Sequence, residues 1–148
     1  MNIFVISPDP TECAQALDDQ RLNKMVLETA QMLSTVMAPM PGLYKPTHAH
    51  HPVTLWVSHH TRWTYRLLVS LLAEYTYRRD REHGCRKIAI ALLPNLFSIP
   101  PVPTPTEWCN CTPYPLLPVF DAYKLHLNIK WGNSSPAWTR RGQPTWRV

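Results

Sequence analysis

No apolar run in this chain reaches the roughly 18 residues that a membrane-spanning helix needs. No membrane segment is therefore expected. The opening stretch Met1–Ile6 is apolar, but it stops short of Pro8 and carries neither a basic leader nor a cleavage site. That pattern predicts a cytoplasmic protein. Cys13, Cys85, Cys109 and Cys111 contain no CxxC pair, and Cys109-Asn110-Cys111 is too tight for an easy disulfide and too isolated for a tetrahedral zinc site. Reduced thiols follow. Charged residues are scarce at 17% against 45% hydrophobic, which excludes a disordered chain. The sequence shows no internal repeat and no second domain.

Acidic residues are missing altogether after Asp121, where Lys124, Lys130, Arg140, Arg141 and Arg147 are interleaved with Trp131, Trp138 and Trp146. Cations neutralise phosphates and flat rings stack on bases, so this tail can bind nucleic acid. It can equally pack its tryptophans on the core and leave its arginines solvated. The net charge of +5 and pI near 9.2 favour a polyanionic partner.

At 148 residues the chain suits one domain with a real core, spanning 1–148. Residues 3–6 are β-prone and predict a short strand or an extended lead-in. Asp9-Pro10-Thr11-Glu12 reads as a capping box with proline in the first turn. A long helix is expected from there to about Met37, kinked near Leu17–Asp18. Its apolar positions Leu22, Met25, Thr29, Met32, Leu33 and Val36 recur at helical spacing. A loop over 38–50 precedes a second long helix from Pro52 to about Arg79, with Trp56, Trp63, Leu67, Leu68, Leu71, Leu72 and Tyr75 facing inward. A shorter helix is expected over 86–93 and a last one over 119–131. Residues 94–118 hold eight of the 16 prolines and read as an irregular wrap. The fold class is mainly α: a single compact domain of three or so helices, a long proline-rich irregular segment and a basic aromatic C-terminal tail.

Chemistry is carried first by Arg21, Lys24, Glu28 and Gln31, which share one face of the first long helix, away from Met25 and Met32. Lys24 and Glu28 at i, i+4 make an ordinary surface salt bridge. The same Glu28 gains a task if an amine attacks a sugar carbon nearby, because a carboxylate can stabilise an oxocarbenium-like state and shuttle protons during imine formation. The α-amino group, with an ordinary pKa of about 7.7–8.0, is a candidate nucleophile.

Two further groups stand out. Lys45, His48, His50 and His51 lie in the loop before the second helix. The histidines, with His59 and His60 a little later, offer a metal site; Lys45, His48 and His51 offer phosphate and base contacts; or these are ordinary loop and cap histidines. Arg78 and Arg79, with Arg81 close behind, form either a favourable helix C-terminus or a DNA-backbone-binding edge. Glu74 on the same helix is a buried partner for an arginine or a second catalytic carboxylate.

Asp19-Gln20-Arg21-Leu22 with Glu28 six residues on, His51-Pro52-Val53-Thr54, Leu71-Leu72-Ala73-Glu74 and Gln143-Pro144-Thr145-Trp146 resemble the phage pyrimidine-dimer DNA glycosylase/AP lyases of the endonuclease V type. The resemblance implies a compact helical monomer, encoded by a phage and acting in its host's cytoplasm. The partner it implies is double-stranded DNA containing a UV-dimerised or modified pyrimidine. No metal or organic cofactor is needed. The implied reaction starts with attack of an amine on C1′, passes through an imine with Glu28 as acid/base, and ends in β-elimination. This chain departs from the pattern at residue 2, where the bulk of Asn2 disfavours removal of Met1. The amine is thus that of Met1, that of Asn2 after trimming, or the side chain of Lys24. Candidate DNA contacts are Arg21, Gln31, Lys45, His48, His51, Arg78, Arg79, Trp138, Arg140, Arg141 and Trp146. Competing classes are a metal-dependent nuclease built on His48, His50 and His51, and a non-catalytic DNA-binding module.

Overall fold

The computed structural model describes residues 1–101 and 103–148. Among them are six helices and no strand: α1 Pro10–Ala16, α2 Asp19–Val36, α3 Pro52–His59, α4 Thr61–Arg79, α5 Arg86–Leu96 and α6 Val119–Gly132. The fold is mainly α. Its helices outnumber the three or so expected because each of the two long ones is broken once. Among the described residues no helix is long and apolar enough to cross a membrane.

The start of α1 follows the capping pattern in part. Asp9 accepts the Thr11 N–H at 2.8 Å and Pro10 fills the first turn. The return bond expected from Glu12 is replaced by Ser7, whose hydroxyl accepts the Asp9 N–H at 3.1 Å. The helix then stops at Leu17 and Asp18, both extended with ψ of 140° and 163°. Asp18 precedes α2 without capping it. Its buried carboxylate instead accepts from Arg21 at 3.0 Å and from the Trp131 indole N–H at 2.9 Å. A partner 113 residues away thus holds the break open.

The second break lies at His60, where φ is −130° and ψ is 35°. Its ring stacks on Trp56 at 4.2 Å, and Trp56 in turn packs against Trp63 and Trp108. Trp108 arrives from the proline-rich segment, which is further pinned by the Trp56 indole N–H donating to the Glu107 carbonyl at 2.9 Å. In the same segment, the Tyr123 hydroxyl donates to the Cys109 carbonyl and accepts the Cys111 N–H. All four cysteines are free thiols.

Helix α4 is the spine, packed against α1, α2, α3 and α5. It buries Leu67, Leu68 and Leu71, while α2 buries Leu22, Met25, Thr29, Met32 and Leu33. Residues Ile3–Ile6 form no strand; they are a buried extended lead-in. The basic tail folds back over this frame. Trp131 sits between Trp138 and Trp146 at 5.1 and 5.4 Å, and the Trp138 indole N–H donates to the Ala16 carbonyl at 3.0 Å. The tail's tryptophans thus pack on the core, while Arg140 and Arg141 are ion-paired rather than left solvated.

Candidate active site

The polar face of α2 is solvated at Lys24 and covered at Glu28. The first residues of the chain lie across it, leaving the Glu28 side chain only 12% exposed. Glu28 Oε2 accepts the Asn2 N–H at 2.8 Å and stands 3.8 Å from the terminal amine. Its other oxygen is 3.5 Å from Lys24 Nζ, whose side chain is 67% exposed. Three nitrogens therefore converge on one carboxylate, two of them from the terminus.

Local sequence explains the approach. The Asn2 side-chain oxygen accepts the N–H groups of Ile3 at 2.8 Å and Phe4 at 3.4 Å, a short turn of the kind asparagine favours. Phe4 follows in the left-handed region with φ of 44°, an uncommon state for a bulky residue. Its buried ring meets Tyr123 edge-on and lies parallel to His126, both at 6.1 Å. Burial of Ile3–Ile6 anchors the segment, and the turn at Asn2 delivers the terminus to Glu28.

The loop before α3 reaches the same face. Thr35 lies two turns beyond Glu28 on α2, with its hydroxyl donating to the carbonyls of Gln31 and Thr47 and accepting the Thr47 N–H at 3.0 Å. From that clamp the chain runs to His51, whose Nδ1 accepts the Val53 N–H at 3.2 Å and caps α3. Burial holds the His51 pKa below the ordinary histidine value. The terminal ammonium and His48 act in the same direction and Glu28 opposes them. His51 thus lies within electrostatic reach of both the amine and Glu28. His48 is exposed, with Nδ1 2.8 Å from the Thr47 hydroxyl. Among the described residues no group of three His, Cys, Asp or Glu side chains is arranged to hold a metal, so His48, His50 and His51 do not converge.

Other predicted residues fall elsewhere. Lys45 is exposed on the loop, Gln31 is half-buried on α2, and Arg21 is tied to Asp18. Arg79, 42% exposed, stands 3.8 Å from Asp19. Arg78 requires correction. Expected at a DNA-binding edge, it is fully buried and donates to Glu74 at 2.7 Å, to the Leu17 and Gln15 carbonyls, and to Asp19 at 3.0 Å. It ties α1, α2 and α4 together, because a buried carboxylate such as Glu74 needs a hydrogen-bonded counter-charge. Glu74 also accepts both arms of Arg141, at 2.5 and 2.8 Å. It is the arginine partner of the two readings given for it. Arg140 pairs with Asp80, and Trp138 and Trp146 are half-buried around Trp131. These tail residues make intramolecular contacts, with the Arg140 side chain still 48% exposed.

Sequence reasoning missed the turn at Asn2 and the proximity of His51 to the amine. An asparagine followed by an apolar run was the only local signal for the first, and His-Pro at a helix start for the second. A cavity of about 510 Å³ lies between α4 and α5 and is lined by Tyr65, Val69, Leu72, Ile90 and Leu93 among others. None of the converged residues lines it, so cavity size does not locate this chemistry.

A family profile described as pyrimidine dimer DNA glycosylase matches residues 1–87. The match takes in the terminal segment, α2, the loop to His51 and α4. Neither the curated proteins nor the solved structures returned a match. The profile covers more than half of the 148 residues and includes every group gathered around Glu28, and the chain belongs to the pyrimidine dimer DNA glycosylase family.

Proposed function

We propose that the chain removes a UV-dimerised or modified pyrimidine from duplex DNA through an imine and then cuts the strand by β-elimination. The single observation that supports this reading is the convergence of the terminal nitrogens on Glu28. Glu28 accepts a proton from the α-ammonium, and the freed lone pair forms a bond to C1′ while the base leaves with its bonding pair. The departed base, an anion, takes a second proton from the adduct nitrogen. The lone pair so freed forms the C1′–N double bond as the C1′–O4′ bond breaks and O4′ takes the proton from the Glu28 carboxyl, giving the imine in its protonated form. Loss of the C2′ proton expels the 3′ phosphate and completes the lyase step.

The α-amine is the preferred nucleophile over Lys24, since an α-amine is by nature a far weaker base than a lysine amine and more of it is unprotonated at neutral pH. The Met1 nitrogen stands 3.8 Å from Glu28. Trimming of Met1 would convert the Asn2 nitrogen, already 2.8 Å from Glu28, into that amine. Lys24, Lys45 and His48, all exposed, suit phosphate contacts, and Arg21 and Gln31 on α2 are further candidates. The enzyme is read as acting as a monomer on double-stranded DNA.

Borohydride trapping on a duplex containing a cyclobutane pyrimidine dimer tests the reading. A covalent protein–DNA adduct is expected, and acetylation of the α-amine should abolish it. Cleavage without an adduct that disappears on adding EDTA would instead support the metal-dependent nuclease. Tight binding with neither adduct nor cleavage would support a DNA-binding module.

A further inference from the structure

We infer that His51 touches the substrate sugar, its Nε2–H donating a hydrogen bond to O4′ as the ring opens. The inference rests on the imine reading above and adds a group that assists the opening step.

The cap fixes the tautomer. Nδ1 of His51 accepts the Val53 N–H, and a backbone amide has only a proton to offer. Nδ1 therefore presents its lone pair, and the one proton of the uncharged ring sits on Nε2. Charging the ring would require giving up the cap. The titratable and charged groups acting on it are the terminal amine, His48 and Glu28. Together with burial their net effect keeps its pKa low. A neutral imidazole held at a helix start in this way is a hydrogen-bond donor, not a proton donor.

Position supplies the second half of the argument. The clamp between Thr35 and Thr47 holds the loop on the Glu28 face of α2, and the His51 N–H donates to the His48 carbonyl at 3.0 Å. The ring is thus held from two sides on the loop clamped to the α2 face that carries Glu28. When the C1′–O4′ bond breaks, its electron pair moves onto O4′. Glu28 supplies the proton that balances this charge, and the His51 N–H stabilises the oxygen while it develops. As a phosphate contact a neutral ring would contribute less than the exposed cation Lys45 beside it.

His51→Asn separates this role from the structural one. Asparagine is a strong N-cap and preserves an acceptor for the first turn of α3, but it removes the ring donor. The melting temperature and the affinity for an abasic-site duplex should match the wild type. The single-turnover rate of borohydride-trappable adduct formation should fall on the order of 100-fold, as when one oxyanion donor is removed. An unchanged trapping rate overturns the inference. So does weakened DNA affinity with an unchanged chemical step, which would make His51 a phosphate contact. Should the Asn variant not fold, His51→Ser, which also caps, carries the same comparison. If the wild type itself forms no adduct, the imine reading fails and the role of His51 with it.

Discussion

Glu28 owes its chemical interest to what surrounds it. On a bare helix its pairing with Lys24 would be worth about 0.3–0.5 kcal/mol and nothing more. Here the Asn2 N–H and the terminal amine approach the same oxygen, which turns a surface charge into a proton acceptor beside an amine. Glu28→Gln keeps the shape and can still accept the Asn2 N–H, but cannot carry the proton. Base excision and borohydride trapping should each fall by at least about 100-fold, with DNA affinity nearly unchanged in a gel-shift titration. Wild-type rates in a single-turnover assay would move the acid/base role elsewhere. The position of Glu28 was legible in the sequence, from its offset after Asp19-Gln20-Arg21-Leu22. Its screening was not, because periodicity tells which residues share a face and not what lies on it.

At the scale of elements, the molecule is joined by charge as well as by apolar packing. Arg78 binds α1 through the Gln15 and Leu17 carbonyls, α2 through Asp19, and its own helix through Glu74. Arg78→Met fills much of the volume but leaves the two carboxylates short of their counter-charge. Loss of about 3–5 kcal/mol is expected in urea unfolding. A loss below about 1 kcal/mol would show that Arg141 alone neutralises Glu74. The helix count belongs to this scale too. Asp9-Pro10 and His51-Pro52 announced two helix starts, and a kink near Leu17–Asp18 was expected. The break at His60 was not legible, since it depends on a Trp56–Trp63–Trp108 cluster assembled from distant segments.

For the whole molecule, acid sensitivity follows from the histidines. His51, His83 and His126 all titrate below the ordinary value, with burial the leading cause in each. A base whose folded pKa is depressed is neutral in the native state, so the unfolded chain takes up the proton more readily. The stability these residues contribute is complete above about pH 6.5 and declines as pH falls through that value. Asp19 acts lower. Burial raises its carboxyl, but hydrogen bonds from Thr139 and Arg78 outweigh this and hold it below the ordinary carboxylate value. Its share is present above about pH 3.9 and is lost beneath it. The melting temperature should therefore fall between pH 7.5 and 5.5, and a flat profile there would contradict the histidine burial. The same network links the two parts of the chain, because Thr139 and Arg141 lie beyond the family match and hold Asp19 and Glu74 within it.

Local order was therefore the part that the amino-acid sequence determined by itself. It covers the helical character, the apolar faces of α2 and α4, the capped start at Asp9 and the helix start at Pro52, and the place of Glu28 on its stripe. These depend on residues within a turn or two of one another. Tertiary structure alone decided which amine meets Glu28, that Arg78 is internal, and that the basic tail satisfies Glu74 and Asp80 rather than standing free. Each of those outcomes is a competition among partners far apart in the chain. Burial decides it, since a charge or N–H removed from water must take whatever partner the packing brings within reach. Glu28 was readable as a carboxylate on a helix, and folding the terminus back over it made it a candidate site.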